Sequence, residues 1–166
     1  HALIDIGVAT FIPRFGHLPL VLGDGNKKLS KRDPRADLFL QRDKGFIPEG
    51  LLNYLALRGW AISADRDIFT LDEFIAAFDV ANVNPNPARF DQKKAESING
   101  DHVRMLDAAD FASRIEPYLT AAGVIGETPT DAERELIVAA APLIQERIGL
   151  LGEAPGMLGF LFLGDA

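Results

Sequence analysis

The sequence predicts a mostly helical chain that carries one short strand and one basic loop. Three observations predict it. Two Thr-x-x-Glu capping boxes, Thr70 with Glu73 and Thr130 with Glu133, stand directly before apolar runs. Glycines and prolines, as at Gly45, Pro48 and Gly59, cut much of the remaining apolar sequence into pieces of helical length. The segment "LPLVL", residues 18–22, is a compact apolar run bounded by Pro13 upstream and Gly23 downstream, which suits a buried strand.

Taken in order, "HALIDIGVA" opens the chain as a short helix and "LPLVL" follows as the strand. "GDGN", residues 23–26, is a turn, because both of its glycines reach positive φ without steric cost. "ADLFLQRDKG" is a helix carrying Leu38, Phe39 and Leu40 and stopped by Gly45. "IPEGLLNYLALRGW" places Pro48 in a first turn, Leu51, Leu52 and Leu55 along an apolar stripe, and Gly59 at the stop. Thr70 caps the next helix, whose Phe74, Ile75 and Phe78 share a face; losing such a cap costs about 1 kcal/mol. In "NVNPNPARF" two prolines alternate with asparagines, which excludes regular structure, and Asp91 reopens a helix through "DQKKAESIN". Near residue 104 the character changes, and a boundary divides residues 1–104 from 105–166. Beyond it "LDAADFASRIEPYLTAAG" and "TDAERELIVAAAPLIQERIGLLG" read as helices, the second kinked or split by Pro142, with "APGMLGFLFLG" as a last apolar helix.

A chain of 166 residues holds one ordinary domain or two small ones, and its 48% apolar and 25% charged residues suit a globular fold. With no cysteine it has neither disulfides nor thiolate metal ligands, and histidines at 1, 17 and 102 have no zinc-cluster spacing. No apolar run is long enough for a membrane span. "HALIDIGVATFIPRFG" has no basic n-region or small-residue cleavage site, which together with the missing cysteines points to the cytosol. The net charge of −7 is unevenly spread: +3 over residues 1–35, −3 over 36–104 and −7 over 105–166. A polyanionic partner would be met by the first third and repelled by the last, whose acidity also suits a solvated helix surface.

The first third owes its charge to "GDGNKKLSKRDP", where Lys27, Lys28, Lys31 and Arg32 fall within six positions. A solvated surface loop, a nucleotide-phosphate site and a nucleic-acid backbone contact all use such a cluster. Spacing rules out a P-loop, since Asn26 separates Gly25 from Lys27 and Ser30 does not directly follow the lysines. There is no G-x-G-x-x-G after the strand and no G-x-S-x-G elbow.

What fits is "KLSKR", Lys28 to Arg32, which resembles the K-M-S-K-S signature of class I aminoacyl-tRNA synthetases. Its K-[IL]-S-K-R form, followed by "GFIPEGLLNYLALRGW" and "FDVANVNPNPARFDQKKAESINGDHVR", is similar to the bacterial glutamyl-tRNA synthetases, from about residue 3 to the C-terminus and most densely over 17–104. The resemblance implies an enzyme that activates glutamate with ATP and transfers it to tRNA(Glu), acting in the cytoplasm as a monomer. Mg2+ is then expected with the ATP in the intact parent, and no protein metal site in this chain. Lys28, Leu29, Ser30, Lys31 and Arg32 would form the ATP loop, with Lys31 on the phosphates and Lys28 supporting it. Leu29 and Arg32 depart from the general signature but match the glutamate subgroup.

The same resemblance makes residues 1–104 the end of a catalytic domain plus a stem-contact region, and residues 105–166 the helical first part of an anticodon-binding region. Lys93, Lys94 and Arg104 are candidate tRNA phosphate contacts, or else a solvated helix face; Tyr54, Leu55 and Trp60 read as core packing rather than base-stacking platforms. The family's H-I-G-H-like signature is missing from the sequence, so the chain reads as an internal fragment, inactive by itself because adenylate formation needs both signatures held together. Two other readings are a non-catalytic tRNA-binding module and a glutaminyl-tRNA synthetase fragment. The second is disfavoured because that family's anticodon-binding portion is β-barrel in character, whereas residues 105–166 read as helices.

Overall fold

The computed structural model describes residues 1–12, 15–16, 18–23, 27–30 and 32–162. Eight α-helices carry most of it: α1 Ala2–Asp5, α2 Leu38–Lys44, α3 Pro48–Ala56, α4 Leu71–Ala77, α5 Gln92–Met105, α6 Ala108–Ala121, α7 Asp131–Gln145 and α8 Ala154–Leu158. Two two-residue strands, β1 Val21–Leu22 and β2 Ala88–Arg89, pair in parallel with Val21 opposite Ala88 and Leu22 opposite Arg89. None of the described helices is long and apolar enough to cross a membrane.

Short side chains with oxygen acceptors start these helices where the sequence places them. Asp37 caps α2, Asp91 caps α5 and Asp107 caps α6, each accepting from backbone N–H groups of the first turn. Thr70 and Thr130 complete capping boxes with Glu73 and Glu133. At the far end of α2, Gly45 takes φ +107°, a left-handed conformation that ends the helix. A β-carbon there would also collide with the backbone of Leu151 and Gly152, so glycine is required twice over.

Two apolar clusters meet at the α2–α3 junction. Phe46 joins Tyr54, Phe90, Ala95 and Ile98, whereas its neighbour Ile47 joins Val103, Phe111, Ile115, Leu119 and the buried faces of α7 and α8. Helix α5 serves both, through Ala95 and Ile98 near its start and Val103 near its end. A third group of rings, Phe69, Phe74 and Phe78, surrounds Trp60 at centroid distances of 5.1–6.0 Å.

Several sequence expectations are corrected. Within α3 the buried residues are Gly50, Asn53 and Tyr54; Leu52 and Leu55 are exposed, Leu55 by 44%, so Leu55 is not core. Helix α3 packs so closely on α5 that a β-carbon at Gly50 would lie 2.7 Å from the Asn99 Cα, and this crossing, rather than the leucine stripe, selects the inward face. Leu38, Phe39 and Leu40 are likewise exposed, while Gln41 is the buried residue of α2. Its Nε2 donates to the carbonyls of Pro34 and Arg35 and so ties down the segment leading into the helix. Ile75 points outward although Phe74 and Phe78 pack on Trp60.

The strand is shorter and less buried than "LPLVL" implies, with Leu18 and Leu20 exposed and only Val21–Leu22 paired. "NVNPNPARF" supplies its partner strand, since Ala88 and Arg89 lie beyond the last proline and their N–H groups remain available. Pro142 does not split α7, which runs unbroken to Gln145; the ring removes one hydrogen bond a single turn before the helix ends. The last apolar segment is divided between α8 and a single turn of 3₁₀ helix at Gly159–Phe162, and the end of the segment before it forms another such turn at Leu151–Glu153.

A candidate nucleotide loop and RNA-facing helix

The basic loop grows out of β1 as a narrow hairpin. Gly23 N–H donates to the Lys27 carbonyl at 2.8 Å, Leu29 N–H donates to Val21 at 2.8 Å, and Leu22 bridges antiparallel to Lys28. Alternation along this extended arm separates Leu29, which packs onto the Tyr54–Phe90 cluster, from Lys28 and Ser30, which face solvent; Lys27, at the start of the arm, is exposed as well. A greasy residue between polar ones therefore anchors the arm and leaves the cations outside. Residues 24–26, where a turn is expected, and Lys31 lie outside the described residues.

After Lys31 the chain turns back on itself. Ser30 Oγ accepts from the N–H of exposed Arg32 at 3.1 Å. Asp33 then receives Arg35 through both Nε at 2.9 Å and Nη2 at 2.6 Å, and it also accepts the Arg35 backbone N–H. The Arg35 side-chain hydrogen bonds, with the backbone one, lower the Asp33 carboxyl pKa to about 2. This fork fixes the departure of the loop with a carboxylate that is ionised at neutral pH.

Of the three α5 candidates, Lys93 is exposed and makes no ion pair among the described residues. Lys94 Nζ lies 2.8 Å from Asp67 and Arg104 Nη2 lies 2.6 Å from Asp101. Lys93 and Arg104 are eleven residues apart, so three helical turns bring them to about the same side of α5, roughly 16 Å apart along its axis. Surface pairs of this kind contribute about 0–1 kcal/mol, so an incoming phosphate can displace either carboxylate at small cost.

What orients α5 is a buried polar network that sequence reasoning missed. Asn53 Nδ2 donates to the Asp67 carbonyl at 2.8 Å, and Asn53 Oδ1 accepts both the Phe69 N–H at 3.1 Å and His102 Nε2 at 2.8 Å. Because that oxygen is an acceptor, the His102 proton sits on Nε2; burial pushes the ring's pKa down and keeps it neutral. Asn99 Oδ1 accepts from Ile47 N–H at 2.9 Å and its Nδ2 donates to Gly149 at 2.7 Å. The available signal was two polar residues, Asn99 and His102, on the face of α5 that carries Ala95 and Ile98. Tyr54 and Trp60 are core residues, and the Tyr54 hydroxyl accepts the Asp91 N–H at 2.6 Å at the mouth of α5. Among the described residues no group of three His, Cys, Asp or Glu is placed to hold a metal ion, so no protein ligand set is assigned to Mg2+.

A family described as tRNA synthetases class I (E and Q), catalytic domain, matches residues 3–97. The chain belongs to this family. Among curated relatives it is 68% identical over 162 residues to a glutamate–tRNA ligase of Leifsonia xyli, covering 98% of this chain and 33% of that protein. A glutamate–tRNA ligase of Kocuria rhizophila is 66% identical over 164 residues, covering 99% of this chain and 32% of the relative. This member of the class I family therefore spans about a third of the length of the curated relatives it matches. Its fold superposes on a crystal structure of a glutamate tRNA ligase from Elizabethkingia meningosepticum in complex with its amino acid, with a TM-score of 0.72 at 24% identity over 94% of this chain and 34% of the other.

Proposed function

We propose that the chain is a working part of a cytoplasmic glutamate–tRNA ligase, supplying the K-M-S-K-S-like ATP loop and part of the surface that holds tRNA(Glu). The observation that carries this reading is the 68% identity, over nearly the whole chain, to a protein named glutamate–tRNA ligase. In the parent enzyme the glutamate carboxylate attacks the α-phosphorus of ATP, forming glutamyl-adenylate and releasing pyrophosphate. The glutamyl group then passes to a terminal hydroxyl of tRNA(Glu) and AMP leaves.

Lys31 is assigned to the departing pyrophosphate. Negative charge grows on its oxygens as the bond breaks, so a cation there stabilises the transition state more than the ground state. Lys28 supports it from the exposed side of the hairpin, while Leu29 anchors the arm and Ser30 with Arg32 shapes the turn. A lysine, with its compact charge on a flexible stem, suits this point-charge role. Residues 1–104 are the end of the catalytic domain plus the stem-contact region, and residues 105–166 open the anticodon-binding region. Lys93, Lys94 and Arg104 present one side of α5 to tRNA phosphates, Lys93 directly and the other two by exchanging Asp67 and Asp101 for phosphate.

The test is Lys31→Ala in the intact ligase that contains this chain. Glutamate-dependent ATP–pyrophosphate exchange is expected to slow by a barrier of about 3–4 kcal/mol with tRNA affinity unchanged. An unaltered exchange rate, or normal exchange with lost tRNA binding, would show that the loop has been given the wrong role.

A further inference from the structure

The alternating Asn-Pro run plays no part in the ATP loop or in the phosphate-facing side of α5, yet it forms one wall of a polar cleft. The cleft, about 520 Å³ in volume, lies between the turn that ends α3 and residues 82–88, and Arg58, Trp60, Asn82, Asn84, Asn86 and Pro87 line it. That volume is within the range of small-ligand sites, about 300–1,000 Å³. Asn84 and Asn86 reach one cleft because side chains two residues apart in extended backbone share a face, and Asn82 joins them from the end of the 3₁₀ turn Val80–Asn82. Pro85 and Pro87 hold φ near the extended value, so the row is set before anything binds. Asn84 also pins the wall: its N–H donates to the Gly59 carbonyl at 2.6 Å and its Oδ1 accepts the Asn86 N–H at 2.9 Å.

The side chains of Asn82 and Asn86 are exposed and make no hydrogen bond among the described residues. Each primary amide offers a donor pair beside an acceptor, the combination that pairs with the edge of a heterocyclic base. Opposite them, Trp60 is held rigid by Phe69, Phe74 and Phe78. Arg58 is already engaged, lying 4.3 Å over the Tyr54 ring and donating to the Arg89 carbonyl at 2.7 Å. No lysine and no carboxylate lines the cleft among the described residues. It is therefore built for a neutral ring with mixed hydrogen-bonding groups rather than for a phosphate.

We propose that this cleft receives one unstacked base of a bound RNA, read through the amides of Asn82 and Asn86. The choice of an RNA base over another amide-seeking ring rests on the tRNA-ligase reading above; the preference for a ring over a phosphate does not. Sequence-dependent RNA recognition generally takes splayed bases in this way, and it adds affinity without adding to the salt dependence that phosphate contacts produce.

The test uses the 166-residue chain, 15N-labelled, and follows the asparagine side-chain amide signals during titration with AMP, GMP, CMP, UMP and, as the base-free probe, ribose 5-phosphate. At least one nucleotide is expected to shift the Asn82 and Asn86 amides, ribose 5-phosphate to leave them in place, and the double variant Asn82→Ala/Asn86→Ala to abolish the response. In parallel, tRNA titrated at two salt concentrations is expected to bind the double variant about tenfold more weakly at an unchanged salt slope, whereas Lys93→Ala lowers the slope. The proposal is overturned if ribose 5-phosphate shifts those amides as strongly as the nucleotides, if no nucleotide moves them, or if tRNA binds the double variant as well as the parent chain. Failure of the unmodified chain to bind tRNA at all would instead count against the RNA surface, while the mononucleotide arm still decides what the cleft accepts.

Discussion

The first forty residues and the last sixty are comparably apolar, yet only the last sixty build a closed interior. In the first region Leu3, Ile6, Val8, Phe11, Ile12, Phe15, Leu18 and Leu20 are exposed, Phe15 by 83%, and among the described residues before Pro34 the helices and strands amount to one helical turn and two strand residues. In the last, Phe111, Ile115, Leu119, Ile137, Ile144, Ile148 and Leu158 are buried in one cluster. The difference lies in element length and mutual fit. Helices α6 and α7 run 14 and 15 residues, long enough to repeat an inward stripe over several turns and to lay it on another stripe. A four-residue helix and a two-residue strand cannot repeat such a stripe: α1 buries none of its residues, and Val21 of β1 is only partly covered where it packs on the Tyr54–Phe90 cluster. Hydrophobicity supplies the driving force; periodicity decides whether the chain can use it.

The sharpest way to break this comparison is a matched pair of truncations. Phe111→Ala, at a position with no exposed surface, is expected to lower stability by about 3–5 kcal/mol. Phe15→Ala, in the open region, is expected to change it by less than about 0.5 kcal/mol. Denaturant midpoints of the two variants check both; similar losses would mean that the first region has an interior of its own. A smaller effect tests the polar joint that ties the last region to the start of α3 through α5. Asn99→Ala leaves Ile47 N–H and the Gly149 carbonyl without their partner, and a loss of about 1–3 kcal/mol is expected from the same melts.

The smallest effect belongs to pH. The Asp33 carboxyl has its pKa lowered from 3.8 to about 2 by Arg35, so its contribution is fully present above the ordinary value and is lost as pH falls from 3.8 toward about 2. Asp33→Asn should remove that part of the acid dependence and leave the curve at neutral pH parallel to the parent's. Thermal melts between pH 2 and 5 on both proteins are the check. An unchanged acid limb would mean that the fork does not hold the loop.

What could be read from the sequence was whatever a residue decides with its near neighbours. Thr70, Asp91 and Thr130 cap helices because an oxygen two or three residues before an N–H needs nothing else. Gly45 stops α2 for an equally local reason. The inward face of α3 could not be read this way, since Leu52 and Leu55 lost their places to Gly50, Asn53 and Tyr54 through the close crossing with α5 some fifty residues on. Asn99 and His102 were hidden for the same reason: their partners Ile47, Gly149 and Asn53 are 49 to 52 residues away. For the candidate site, "KLSKR" was legible as a pattern, and the side-by-side division of Leu29 inward and Lys28 outward follows from strand alternation. The carboxylates beside Lys94 and Arg104 differ in kind. Asp101 stands one helical turn from Arg104 and was within reach of a local reading, whereas Asp67 arrives from a separate loop.

Phe46 and Ile47 are consecutive, and they are committed to different interiors. Any twist of the backbone at that point which seats one of them more deeply must lift the other out. The junction therefore behaves like a single rivet through two plates, tying the helices that follow α5 to the cluster on which Leu29 of the basic hairpin packs.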